Sequence, residues 1–284
     1  MPRPSARDAL TVAVQPALLL ATGTVFALTQ WRGWDPGTAV FLFQFTVLGL
    51  LVGLEFLIPY DPAWRPNRRE WGYYAVYYVL TATGGALGQN LVMLGVGALA
   101  DPRPLFPLWA EIPLALLVGS LASYAVHRAG HTYPWLWRLH GVHHVPEKVN
   151  VANNGVNHVA DVLISQGFVQ LALALIGFSE RAVFAVGLFV VAQGYFVHAD
   201  IRVRLGPLNH VLAGPEQHRL HHSTDLSEAG HYSSDLSLWD RVFGTFTWRP
   251  GREPAAVGLT DPRSFPATGR ILTTLVHPWR RSAG

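Results

Sequence analysis

The chain of 284 residues contains no cysteine. Disulfides, thiolate metal ligands, iron–sulfur clusters and cysteine nucleophiles are therefore excluded, and thiol usage gives no information on redox compartment. Charge is scarce as well, at 14% of residues against 50% hydrophobic, and Lys148 is the single lysine. The net charge of +3 is carried by dispersed arginines. Without a basic helix or a stacking platform, this argues against nucleic acid as a partner. The chain also lacks a glycine-rich dinucleotide or flavin fingerprint, a haem module and a His-Glu-x-x-His motif.

What charge there is leaves long gaps. Residues 9–31, 36–54, 71–100, 112–126, 162–179 and 182–199 contain no Asp, Glu, Lys or Arg. Most of these runs can cross a hydrocarbon core of about 30 Å as a helix. The expectation is an all-α integral membrane protein with about six transmembrane helices. Spans are predicted near 10–30, 38–58, 72–99 and 107–127, followed by a hairpin of 160–178 and 182–198 that turns at Ser179, Glu180 and Arg181. The hairpin arms are near the minimum spanning length, so a buried or re-entrant pair is the alternative.

Local signals punctuate this outline. Pro59 and Pro62 close the second span, Asp101-Pro102-Arg103-Pro104 separates the third from the fourth, and Pro134 breaks the chain after His131. Gly84, Gly85, Gly88, Gly95 and Gly97 are small enough for close helix contact. Trp109, Tyr133, Trp135 and Trp137 lie near span ends, as an interfacial aromatic belt would. Arg65, Arg68 and Arg69 crowd one connection, which the positive-inside rule places in the cytoplasm together with Arg3 and Arg7. The first apolar run lacks a clear cleavage site and is read as retained. Division into an N-terminal helix pair (1–70), a catalytic membrane domain (71–250) and a surface tail (251–284) follows.

The polar residues that interrupt this pattern are histidines. Of 13, eight fall into three short windows: His127 and His131 in HRAGH, His140, His143 and His144 in HGVHH, and His218, His221 and His222 in HRLHH. On a helix, residues three and four apart project from one face. A polar collar at a membrane interface would not need this repetition. Neutral imidazole ligates iron, zinc and copper alike, and one ion takes between about four and six ligands. Eight imidazoles therefore point to two metals with positions left open. All three windows come to the cytoplasmic side if the hairpin between the second and third crosses and returns.

The order of these motifs, with the hydrophobic hairpin before the last and LSLWDRVFGTF (Leu236 to Phe246) after it, resembles the fatty acid hydroxylase / sterol desaturase superfamily of membrane di-iron oxygenases. The similarity covers roughly residues 110–250. It implies a four-helix membrane unit formed by the last four apolar segments, with the first two added, and a cytoplasmic helical cap carrying two irons. By this resemblance all eight clustered histidines are ligands, and two more join them: His198 in FVHADI and His158 in NGVNHVAD. His210, His231 and His277 match no ligand position and are assigned to surface or supporting places. Asp161, Asp200 and Asp240 are candidates to orient ligand imidazoles through the second ring nitrogen. The family pattern has asparagine where His231 and Asp200 stand and serine after the second cluster, where this chain has Val145-Pro146; these departures weaken a sterol assignment.

The implied reaction is dioxygen-dependent hydroxylation or desaturation of a lipid C–H bond, the lipid being fatty acyl, sterol-like or another isoprenoid or alkyl type. Zinc is expected to replace iron in recombinant protein. With no electron carrier of its own, the chain requires a separate ferredoxin or cytochrome with its reductase. Two other classes compete. A metal transporter predicts histidines or acids at mid-span depth, whereas the clusters lie at span ends; a zinc hydrolase predicts a catalytic glutamate beside three or four ligands. Twenty arginines against one lysine fit a GC-rich bacterial coding sequence, so the expected location is a bacterial inner membrane, with the active site on the cytoplasmic face.

Overall fold

The computed structural model describes residues 6–96, 104 and 106–280; Arg3, Gly97 and the turn expected at 101–103 lie outside the described residues. The described chain is helical: α1 Ala6–Arg32, α2 Pro36–Leu57, α3 Arg68–Val96, α4 Leu108–Thr132, α5 Pro134–His140, α6 Val159–Ile176, α7 Glu180–His198, α8 Pro215–His221, α9 Leu238–Val242 and α10 Ile271–Val276. Six of these, α1 to α4 with α6 and α7, are long and apolar enough to cross a membrane. The protein is a multi-pass membrane protein, as its uncharged runs predict.

Local chemistry sets the helix ends. Asp35 caps α2 by accepting from the Thr38 amide at 2.7 Å, with Pro36 at the first helical position. Between α6 and α7, Gly177 closes the first arm in the left-handed region (φ 83°) and Ser179 caps the second. The hairpin tip is then pinned to α4: Glu111 accepts from the Ser179 amide at 2.9 Å and from its hydroxyl at 2.6 Å. Glu111 precedes His131 by twenty positions on one helix, about 30 Å of rise. The tip thus lies at the end of α4 remote from the histidines, and the hairpin runs the full length of the bundle rather than re-entering.

The other helix ends sort consistently. Close to the histidine end of α7, the Arg204 amide donates to the Thr11 carbonyl of α1 at 2.9 Å, the Arg202 amide to Ile58 just beyond α2 at 2.8 Å, and Lys148 reaches Glu70 at the start of α3 at 2.8 Å. One end of the bundle therefore gathers the start of α1, the end of α2, the start of α3 and the ends of α4 and α7. The N-terminal pair is not a detached unit. Val14, Leu18, Phe43, Val47 and Leu51 share a buried cluster with Phe184, Leu188, Ala192 and Phe196 of α7.

Helices α3 and α6 approach closest through glycine. A Cβ at Gly84 would sit 2.6 Å from the Val159 carbonyl oxygen, and one at Gly88 would sit 2.7 Å from that of Leu163, backbone atoms that cannot step aside. Gly88→Leu is therefore expected to cost about 1–3 kcal/mol by overpacking, whereas Gly95→Leu, with nothing within 4 Å of its Cβ, should leave the thermal midpoint in detergent unchanged. Equal midpoints for the two variants would refute this contact.

The tail departs from expectation. It folds back over the cap instead of extending from it: Val257, Leu259 and Phe265 are buried, and Phe265 shares a core cluster with Tyr77 and Val142. The Gly258 amide donates to the His222 carbonyl at 2.9 Å, and Phe265 presses on Gly141, where any Cβ would collide with its ring.

Candidate metal centre

The three windows converge because the chain turns sharply between them. Helix α4 delivers His127 and His131 one turn apart, Pro134 starts the short α5 that ends in His140, and a 3-10 turn over Gly141–His144 presents His143 and His144 in different directions. Gly130 lets α5 close on α4, since a Cβ there would lie 3.1 Å from the ring of His140. Helix α8, opened by Gly214 and Pro215, brings His218, His221 and His222, and His198 arrives at the end of α7.

Nine histidines sort into two groups: His127, His131, His140, His144 and His221, and beside them His143, His198, His218 and His222. Within each group the ligand atoms lie within 4.8 Å of one another. The groups touch, with the rings of His144 and His222 stacked at 4.3 Å between centroids. The second cluster is thus divided: His140 and His144 face one group and His143 the other, a split that spacing alone does not reveal.

The ring nitrogens are sorted in the same way. Nδ1 faces the backbone carbonyl of Tyr232 in His127 (2.5 Å), of Val156 in His143 (3.2 Å), of Asn150 in His198 (2.9 Å) and of Gly230 in His221 (3.0 Å), while His140 Nδ1 faces Asp161 Oδ2 at 3.1 Å. A carbonyl can only accept, so these four rings carry their proton on Nδ1 and turn the lone pair of Nε2 inward. The Nε2 atoms of His127, His131, His140, His144, His198 and His221 are buried without a partner. His218 and His222 bring their Nε2 atoms to 3.2 Å of each other. Stranded inward lone pairs of this kind fit a bound cation, and the carbonyl supports are the outer contacts that metal-binding imidazoles usually make.

Burial disfavours the charged form of rings in both groups. Loss of hydration, reinforced by neighbouring imidazoles, holds His143, His144, His218 and His222 well below the ordinary histidine range, and burial brings His221 down to about 3. The two groups therefore offer nitrogen donors alone, five and four, with no carboxylate in either.

His158, expected among the ligands, stands apart from both groups. It caps α6, with Nδ1 accepting from the Ala160 amide at 3.1 Å, and its Nε2 donates to the Leu275 carbonyl at 3.2 Å. Both nitrogens are engaged, the ring packs on Trp279, and the residue belongs to neither group. Among the aspartates, Asp161 meets the His140 ring at 3.1 Å. Asp240 acts one step removed, holding the Tyr232 and Ser233 amides at 2.8 and 3.0 Å and so fixing the loop whose carbonyl supports His127. Among the described residues the Asp200 carboxylate bonds to no histidine; it accepts from the Asp61 amide at 2.9 Å.

The three remaining histidines divide. His210 is exposed beside Phe246 and Trp248, and His277 packs on Phe265. His231 is fully buried at φ 62°, accepting from the Thr247 amide at 3.0 Å, and so shapes the turn whose Gly230 carbonyl supports His221. Two rings that the motifs do not flag line the five-histidine group: Tyr232 lies 5.2 Å from His131, and Trp137 lies 5.1 Å from it. Trp137 was expected in a membrane belt; it packs against the site.

Residues 112–245, which include all nine gathered histidines, match the fatty acid hydroxylase family. The segment that holds the site belongs to this family. Across 94% of its length the chain is 28% identical to ornithine lipid hydroxylase OlsE of Rhizobium tropici, covering 83% of that protein. Over 52% of the chain it is 34% identical to alkylglycerol monooxygenase of Danio rerio and 33% identical to that of Homo sapiens. The chain spans 33% of each of these two longer proteins. No solved structure matches. The family match gives the chain its class, a membrane oxidoreductase of the lipid hydroxylase and monooxygenase kind with histidine metal sites.

Proposed function

We propose that the chain hydroxylates the alkyl portion of an amphipathic membrane lipid, using dioxygen and two iron ions held by nitrogen ligands alone. The observation that carries this reading is the pair of touching all-histidine groups, five and four, in which six of the nine rings hold a buried Nε2 without a partner. His127, His131, His140, His144 and His221 would hold one ion, and His143, His198, His218 and His222 the other. Six-coordinate iron leaves one or two positions open in such groups. Two irons bound there would supply the reductive activation of dioxygen that oxidation of an unactivated C–H bond requires.

The protein's own residues orient and enclose. The Nδ1 contacts to backbone carbonyls and to Asp161 fix each tautomer and ring plane. Phe265, Trp137 and Tyr232 pack around the groups, and the folded-back tail shields them from water. Because the site lies at the helix ends, a lipid can present its chain from the bilayer while dioxygen and electrons arrive from the aqueous side. The electrons come from a separate ferredoxin or cytochrome with its reductase. Hydroxylation is favoured over desaturation because the relatives are named as a lipid hydroxylase and monooxygenases.

The test is lipid mass spectrometry of membranes with and without the gene. A gain of one oxygen in a lipid class is expected; loss of two hydrogens would replace hydroxylation by desaturation, and an unchanged lipidome with active redox partners supplied would refute both. Metal analysis of iron-replete protein should give about two irons per chain, and overexpressed protein should carry zinc in the same ratio, since affinity rises from iron to zinc.

A further inference from the structure

Helix α2 reaches the metal centre through one carboxylate. Glu55 stands in its last turn, the single charged residue of that helix, and is only 5% exposed. Its Oε1 accepts from two amides at once, Val151 at 2.7 Å and Asp200 at 2.8 Å. These amides belong to the two segments that place His198. Asp200 lies two residues beyond that ring on its own chain. Val151 follows Asn150, whose carbonyl accepts the Nδ1 proton of His198 at 2.9 Å.

His198 depends on such support more than the other gathered histidines. The remaining eight come from clusters, in which each ring shares a helix or turn with another ligand. His198 stands alone at the end of α7, and its buried Nε2 faces His143, His218 and His222, with ring centroids 5.0, 4.9 and 5.1 Å away. A shift of either supporting segment would swing the ring about its Cα or remove the acceptor that fixes its tautomer. A single oxygen atom ties the two segments together.

We propose that Glu55 is a positioning residue for the four-histidine group, acting on the second metal through the backbone that holds His198. The N-terminal helix pair, outside the segment that matches the family, thereby becomes part of the metal site. This inference rests on the reading that the four-histidine group binds a metal. Glu111 provides a natural comparison, because it too is a buried carboxylate that ties an amide and a hydroxyl together, at the opposite end of the bundle.

The experiment uses iron-loaded full-length protein in detergent, with metal analysis, X-ray absorption and thermal midpoints for Glu55→Ala, Glu55→Gln, Glu55→Asp and Glu111→Ala. Glu55→Ala is expected to fall from about two irons to about one, the remaining iron keeping its nitrogen shell, and the shorter Glu55→Asp to bind the second iron about 10–100-fold more weakly. Glu55→Gln should restore both irons, because its amide oxygen can accept from both backbone amides. Glu111→Ala should keep both irons despite a lowered midpoint. The inference is overturned if Glu55→Ala keeps two irons with an unchanged spectrum, or if Glu111→Ala loses iron equally. It is overturned as well if the Gln variant loses as much iron as the Ala variant. Should Glu55→Ala fail to fold, full iron affinity in Glu55→Asp would overturn it. A parent protein holding fewer than two irons is a different failure, that of the two-metal reading itself.

Discussion

His222→Ala is expected to remove lipid oxidation and to cost the protein one of the two irons proposed for it. His222 is buried at the seam between the groups, its Nε2 is 3.2 Å from that of His218, and its ring stacks on His144. Truncation deletes a donor that no neighbour can replace, because each adjacent imidazole already faces its own group. The loss should therefore exceed the about 10–100-fold typical of removing an outer contact. His158→Ala makes the contrast. With both of its nitrogens bound to backbone, its removal should leave both irons in place and lower the thermal midpoint by freeing the tail at Leu275. Two measurements decide: iron per chain and product formed, for each variant against the parent. Iron lost equally from both variants would return His158 to the ligand set, and a His222→Ala enzyme that turns over would remove His222 from it.

The contrast also marks where the sequence stops being informative. The six spans were legible because bilayer thickness converts directly into a count of uncharged residues, and the three clusters were legible because their spacing is helical. The partition of HGVHH was not. His143 and His144 are neighbours in sequence, and only the 3-10 turn sends them to different groups. His158 and His198 carried the same signal, a lone histidine at a helix end; what separates them is whether Nε2 meets a carbonyl or an open lone-pair pocket. Glu55 belongs to no sequence motif, and its buried double acceptance depends on contacts 96 and 145 positions away. The tail is rich in proline and arginine, as a solvated extension would be, yet Val257, Leu259 and a phenylalanine over Gly141 seat it. Only one trace of that contact was in the sequence, a glycine between two cluster histidines where any side chain would collide.

Single cysteines placed at opposite ends of the bundle should label from opposite sides of the membrane. The structure puts all nine gathered histidines at one end and the α6–α7 tip at the other, and the basic residues follow the same division. Arg65, Arg68, Arg69, Arg138, Lys148, Arg202 and Arg204 lie at the histidine end, whereas among the described residues Arg32 and Arg181 mark the far end. The positive-inside rule then predicts a cytoplasmic histidine end, where reducing equivalents would be available to the proposed reaction. Glu180 and Ser227 are exposed and stand at the two ends, and the parent chain has no thiol to interfere. In intact bacterial cells a membrane-impermeant maleimide should modify Glu180→Cys and spare Ser227→Cys until the cells are permeabilised. The reverse pattern would place the site outside the cytoplasm and force the electron donor to be extracytoplasmic. Labelling of both positions in intact cells would mean that the hairpin does not cross, in conflict with the 2.9 Å bond that ties its tip to Glu111.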